Sequence, residues 1–267
     1  MLRDITLGQF FPGTTIVHRL DPRTKLLLTV IYIAALFTAK DYISYAVMAV
    51  ALSLCIIISK IKMSALLRGL KPLILIIVIT AVINLFYSEG TPIVEFWIFK
   101  ITYEGIKTAV FMAIRIIMLI MGTFMLTYTT SPLALTDGLE RLLNPLKKIR
   151  VPVHEISMMM SIALRFIPTL IEETDKIMNA QKARGADFET GKLTERAKAL
   201  LPILVPLFVS AFRRAEELAV AMECRCYHGG EGRTRMKQLI FVWQDFVALA
   251  IGVVILAGVI VLAVMGL

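Results

Sequence analysis

Five stretches of nearly unbroken apolar residues set the pattern of the chain: 26–39, 45–59, 72–87, 105–128 and 246–265. The first two flank Lys40, Asp41 and Tyr42. Each is short for a membrane span, which needs about 20 residues, and the two together are too long for one. Two short helices joined by a tight turn fit better. Pro72 stands at the head of the third stretch, where a helix start tolerates it. Residues 88–92, Ser-Glu-Gly-Thr-Pro, follow it as a loop. The fourth stretch carries Arg115 near its middle, and the fifth has almost no polar interruption.

The segment 131–240 has a different pattern. It holds six of the ten prolines, at 132, 145, 152, 168, 202 and 206, and each disfavours an unbroken helix. Helix-forming stretches are expected at 133–143, 153–182, 194–201 and 207–223. The second is amphipathic and rich in methionine (Met158, Met159, Met160, Met178), with a first half too apolar to sit bare in water. Helices lying at or under the membrane and against partners are the expectation. The other reading is a cytoplasmic four-helix domain with its own core. The 14 methionines suit either ordinary apolar filler or a surface that repacks around several partners.

Composition agrees with a chain that sits mostly in lipid. Hydrophobic residues make up 58%, charged residues 18%, and mean hydropathy is +0.78. That excludes a soluble enzyme, a disordered tail and, with only Cys55, Cys224 and Cys226, a disulfide scaffold. The fold class expected is an all-α membrane protein of about five transmembrane helices with a cytoplasmic or interfacial helical coupling segment. Its organisation is expected as 1–130 with four spans, 131–240 as coupling helices, and 241–267 as the last span.

The net charge of +9 fixes orientation through its placement. Of 29 Lys and Arg, 17 lie in 131–240, four in the first 25 residues and four in 60–71. Excess Lys and Arg in short loops marks the cytoplasmic side. The N-terminus, the 60–71 loop and the 131–240 segment are therefore expected inside, and the loops near Lys40 and 89–104 outside, in the cell membrane. The N-terminus has no early apolar stretch, so no cleavable signal peptide is expected. The basic residues alternate with spans, which argues against nucleic acid as a partner.

Two sites carry the candidate chemistry. One is Gln181-Lys182-Ala183-Arg184-Gly185-Ala186-Asp187; the other is Met222-Glu223-Cys224-Arg225-Cys226-Tyr227-His228-Gly229-Gly230. Each puts an Arg among small residues at the end of a long helix. Small neighbours let such an end enter a narrow groove, where a guanidinium presents a planar fork of donors to a carboxylate. The plainer reading is a helix C-terminus with a favourable charge near the dipole and a glycine stop.

Arg115 at mid-span must face protein or water. It reads as a polar lock between spans, with Asn84 as candidate partner, as a contact to a membrane partner, or as a structural Arg bonded to backbone carbonyls. Cys224, Cys226 and His228 lack an evident fourth ligand for a metal. His154-Glu155 lacks the second His of a zinc-protease helix, and no Walker-type Gly-rich loop with Gly-Lys-Ser/Thr is present, so the chain is not itself an ATPase. An autonomous carrier would need ionisable residues or broken helices at the midplane in repeated halves, and only Arg115 qualifies. A membrane-embedded enzyme would have only residues 224–228 to work with.

Residues 164–170, Leu-Arg-Phe-Ile-Pro-Thr-Leu, followed by Ala183-Arg184-Gly185, resemble the T component of energy-coupling factor transporters. So do residues 213–219 followed by 221–227, and His18-Arg19-Leu20-Asp21-Pro22-Arg23-Thr24-Lys25. The matches run from about residue 10 to 235 in family order. The resemblance implies a non-catalytic membrane scaffold for vitamin and metal-ion uptake. Its partners would be two ABC-type ATPases and one or more membrane S components. Arg184 and Arg225 would be the coupling arginines, each docking on one ATPase, with Ala183, Gly185, Cys224 and Cys226 flanking them. No cofactor is expected on this chain; ATP and Mg would sit on the ATPases. Cys224 and Cys226 replace the family's usual Ala and Gly, so the second turn lacks its glycine, and Gly229-Gly230 is the expected substitute.

Overall fold

The computed structural model describes residues 10–39, 41–87, 92–96, 99–186, 188, 193–229 and 238–265. Lys40, 88–91, Asp187 and Gly230 lie outside the described residues. The elements are α1 (Ile16–Arg19), α2 (Pro22–Thr38), α3 (Tyr42–Ser59), α4 (Met63–Leu70), α5 (Ile74–Tyr87), β1 (Pro92–Phe96), β2 (Phe99–Thr102), α6 (Tyr103–Thr129), α7 (Pro132–Leu143), α8 (Val153–Ala183), α9 (Leu193–Glu223) and α10 (Trp243–Met265). The chain is an all-α membrane protein by this account, with one small hairpin as its only sheet among the described residues.

Among the described residues, four stretches are long and apolar enough to cross a membrane: Tyr42–Ser59, Met63–Tyr87, Tyr103–Thr129 and Trp243–Met265. The fifth expected span, α2, is a helix of 17 residues. Its rise of about 25 Å falls short of a hydrocarbon core of about 30 Å. The third span differs from expectation at its start. Only Ile61 and Lys62 separate Lys60, in left-handed conformation, from α4. The basic stretch 60–71 is therefore mostly helix, and a 3-10 turn at Lys71–Leu73 absorbs Pro72 and joins α4 to α5. Between α5 and α6 the expected loop contains β1 and β2, paired antiparallel with Phe96 opposite Phe99. Isoleucine, valine, phenylalanine and threonine favour this extended pairing.

The chain divides into two compact units: residues 8–138 with 239–267, and 139–238. In the first, Leu36, Met48, Leu66, Tyr128 and Val259 are fully buried and form one cluster from α2, α3, α4, α6 and α10. α2 approaches α6 where Gly122 leaves room. A Cβ there would lie 2.4 Å from Tyr32 Cε1, and the Tyr32 hydroxyl donates to the Met118 carbonyl at 3.2 Å.

A polar knot ties the two ends of this unit together. Asp21 caps α2 by accepting from the Arg23 amide at 2.9 Å, and pairs with the Arg23 guanidinium at 2.8 Å. Asp245, 1% exposed, accepts the Asp21 amide at 2.9 Å and the Val242 amide at 2.8 Å, the latter closing the first turn of α10. Arg23 also donates to the Leu239 carbonyl at 3.1 Å and lies 3.8 Å over the Phe241 ring. Lys25 Nζ donates to the carbonyls of His18 (3.1 Å) and Thr129 (2.8 Å), where α6 ends. His18 Nε2 donates to the Phe11 carbonyl, so its Nδ1 accepts from the Thr15 hydroxyl. Burial and the nearby Lys25 charge hold this imidazole below its ordinary pKa.

Arg115 and Asn84 do not meet. Arg115 Nε donates to the Tyr45 hydroxyl at 2.8 Å and Nη2 to the Ala39 carbonyl at 2.9 Å, one of the carbonyls that the end of α2 leaves free. Asn84 donates to the Thr80 carbonyl one turn back, as a polar group in an apolar helix can do without leaving it. Arg115 of α6 thus bonds the Tyr45 hydroxyl of α3 and the carbonyl that follows α2, with the carbonyl end of a helix dipole as its counter-charge. Arg115→Leu should destabilise the unit by about 2 kcal/mol, because it strands a buried carbonyl, and Tyr45→Phe by about 1 kcal/mol. Thermal unfolding in detergent is the check, and equal melting of all three proteins would refute it.

In the second unit α8 and α9 pack side by side. Arg214 of α9 pairs with Glu173 of α8 at 2.6 Å, and the Tyr227 hydroxyl meets Met158 Sδ at 3.1 Å. Pairing 173 with 214 and 158 with 227 makes the two helices antiparallel. α9 is one helix through Pro202 and Pro206, not the two expected on either side of them. Among the described residues of this unit, Val153 and Ile203 are the buried hydrophobics, while Leu204, Phe208 and Phe212 are exposed.

Candidate functional site

The ends of α8 and α9 have the same backbone architecture. After α8, the Gly185 amide donates to the Lys182 carbonyl and the Ala186 amide to the Gln181 carbonyl, both at 3.0 Å. After α9, the Cys226 amide donates to the Glu223 carbonyl at 2.8 Å and the Tyr227 amide to the Met222 carbonyl at 3.1 Å. These are paired six-to-one and five-to-two bonds about a left-handed residue. That residue is Gly185 at φ +86° in the first end and Cys226 at φ +55° in the second. In both, the residue just before it is the arginine.

The second turn therefore needs no help from Gly229-Gly230: Cys226 makes it, and Gly230 lies outside the described residues. A Cβ residue in this conformation costs about 1 kcal/mol relative to glycine. Cys226→Gly should accordingly raise the stability of the α9 end by about 1 kcal/mol and leave the arginine in place. Slower amide exchange at residues 226 and 227 would show it; faster exchange would contradict it.

Ala183, Arg184, Gly185, Cys224, Arg225 and Cys226 are all exposed. Neither Arg184 nor Arg225 pairs with a carboxylate among the described residues. No Cβ placed at Gly185 would meet anything within 4 Å. Each end is thus a narrow, uncrowded tip with one fork of donors unspent. The antiparallel packing sends the tips in opposite directions. Arg225 lies near the level of Met158, and α8 runs on from there to Arg184 for about 40 Å. The two tips are thus about 40 Å apart, too far for one small receptor to span.

Sequence reasoning gave no role to the flanks between the tips. Phe166, Leu170, Leu218, Met222 and Tyr227 line a cavity of about 490 Å³ between α8 and α9, with Arg214 on its wall. The signal was present in the spacing of 166 and 170, and of 218 and 222, one turn apart on each helix. No group of three or more His, Cys, Asp or Glu gathers among the described residues as a metal site would require.

Known proteins resemble the sequence over nearly the whole chain. The family model described as cobalt transport protein, CbiQ, matches residues 13–236. The energy-coupling factor transporter transmembrane protein EcfT of Thermosediminibacter oceani is 56% identical over 247 residues, 92% of this chain and 93% of that one. That of Ruminiclostridium cellulolyticum is 53% identical over 98% of both chains, and that of Bacillus subtilis 46% identical over 97% of both. The family-model match takes in Asp21, Arg23 and Lys25 of the knot, both arginine tips and the helices that carry them. The chain belongs to the EcfT family, the transmembrane components of energy-coupling factor transporters.

Proposed function

We propose that this chain is the non-catalytic scaffold of an ATP-driven importer, holding two cytoplasmic ABC-type ATPases at Arg184 and Arg225 and a small substrate-binding membrane protein, the S component, on its membrane side. The observation that carries the reading is the pair of like-built arginine tips at opposite ends of one antiparallel helix pair. Two equivalent receptors, one on each of two related subunits, suit that arrangement. Acidic side chains in each receptor groove would pair with the guanidinium, which needs planar acceptors.

Closure of the ATPases on ATP would shift the two receptors relative to each other. α8 and α9 would slide or rotate accordingly, since each is a single long helix gripped at its tip. Their exposed apolar faces would carry that motion to the S component, which then reorients and releases its vitamin or metal-ion substrate inside. The basic loops support placing the tips in the cytoplasm of a cell with this chain in its plasma membrane.

Gentle extraction of the tagged chain from its native membrane tests the reading. Two ABC ATPases together with one or more small membrane proteins are expected. Neither ATPase, from folded material in several mild detergents, would overturn it and leave an autonomous carrier.

A further inference from the structure

The first unit has a step in its height. Lys25 reaches the Thr129 carbonyl at one end of α2 and α6, and Arg115 reaches the Ala39 carbonyl at the other. Residues 25–39 of α2 and 115–129 of α6 therefore run side by side for about 21 Å. There α2 stops and α3 turns back, while residues 103–114 of α6 continue for about 18 Å more. Ala39 and Asp41, between α2 and α3, thus lie at a depth where a bilayer of about 30 Å hydrocarbon would still be present. Asp41 Oδ2 is buried with no hydrogen-bond partner, and Ala39 abuts Arg115.

A cavity of about 320 Å³ opens on this step, lined by Tyr45 of α3 and by Glu104, Lys107, Thr108, Phe111 and Arg115 of α6. The residues on α6 recur at helical spacing, so they form one face. Their order along it is a charge ladder: Glu104 nearest the helix start, Lys107 one turn deeper, Arg115 at the floor. Lys107 Nζ lies 5.4 Å from the Tyr42 ring centre and 5.9 Å from that of Phe111. Neither Glu104 nor Lys107 has an ion-pair partner among the described residues, and Arg115 uses Nε and Nη2 on protein, leaving the Nη1 donors. Ionised groups set against such an apolar wall in a membrane protein take counter-charge or water.

We propose that this step is a binding site for the headgroup of a zwitterionic phospholipid bearing a primary amine, from the leaflet in which α6 begins. The phosphate would lie between Lys107 and the Nη1 group of Arg115, with Thr108 as a hydroxyl donor. The ammonium would lie outward at Glu104. That order, amine outward and phosphate inward, is the order of such a lipid standing in its own leaflet. The tyrosine and phenylalanine rings supply the amphipathic wall that headgroups favour. Occupancy would draw that leaflet down to the step and so match the short α2–α3 pair to the bilayer.

The test uses the full chain with whatever subunits purify with it, reconstituted in nanodiscs of phosphatidylethanolamine and phosphatidylglycerol in equal parts. After detergent re-extraction, retained lipid is counted by mass spectrometry. Wild type is expected to keep phosphatidylethanolamine preferentially. Lys107→Gln should weaken that retention about tenfold through loss of one charge-assisted contact. Glu104→Gln should remove the preference for ethanolamine over glycerol while retaining phospholipid. Both positions are exposed helix residues outside the knot, so both variants are expected to fold, which their unchanged melting would show. Millimolar inorganic phosphate should not displace the lipid; if it does, the site takes free phosphate and the lipid assignment is wrong. Equal retention of both lipids in all three proteins would overturn the proposal as well.

Discussion

The double variant Arg184→Glu, Arg225→Glu is expected to lose both ATPases on affinity purification and to reduce uptake in whole cells to background. Each substitution removes a guanidinium that would be buried on docking and faces its acidic groove with a like charge. Breaking one partner of a buried pair costs roughly 3–5 kcal/mol, which corresponds to about a hundredfold to several thousandfold weaker docking at each tip. Each single variant should release mainly one ATPase, since about 40 Å of helix separates the tips. Stability of the chain itself should not change, because both arginines are exposed and unpaired with any described carboxylate. Unaltered uptake by the double variant would refute the coupling role. A lowered melting temperature alongside lost uptake would reassign the arginines to folding.

Asp245→Ala is expected to be the most damaging single change to the membrane unit. The carboxylate is buried and accepts two backbone amides, those of Asp21 and Val242, from opposite ends of the unit. Without it both amides lose a charge-assisted partner in a dry site, a penalty of about 3–5 kcal/mol for the pair. Asp245→Asn should cost about half as much, since the remaining carbonyl oxygen can still accept one amide while its nitrogen cannot. Thermal unfolding of the purified chain in one detergent ranks the three proteins. Melting of Asp245→Ala level with the parent would show that the knot contributes nothing.

How far the sequence carried depended on whether the deciding interaction was local. The apolar stretches, the two helices bearing the arginines and the resemblance of Arg184 and Arg225 sites were legible because periodicity and short motifs encode them. The continuity of α9 was not. Pro202 and Pro206 each remove a donor, yet the helix runs unbroken through both. The pairing of Arg115 was illegible for a different reason. Depth along α6 suggested Asn84, but its partner is a backbone carbonyl at the end of another helix, and no residue type announces a carbonyl. At Cys226 the expectation followed glycine's known liberty and looked onward to Gly229; the chain instead accepts a strained cysteine where the turn's geometry demands it. The motif from His18 to Lys25 was visible as a resemblance, but its work, holding α10 against α2, joins residues more than two hundred positions apart and could only be seen in three dimensions.

That last bond has a consequence in time. The membrane unit is discontinuous, with residues 139–238 inserted between its two parts. A ribosome emits Asp21 long before Asp245. Until α10 has been made, the Asp21 amide lacks its Asp245 acceptor and the Arg23 guanidinium lacks the Leu239 carbonyl and the Phe241 ring. The unit cannot close until α10 has been made, and its closure brings together contacts of very large sequence separation, the slow kind. By then both arginine tips have already left the ribosome. A partner able to grip them before α10 docks would meet a scaffold whose membrane half is still open, so assembly and completion of the fold compete.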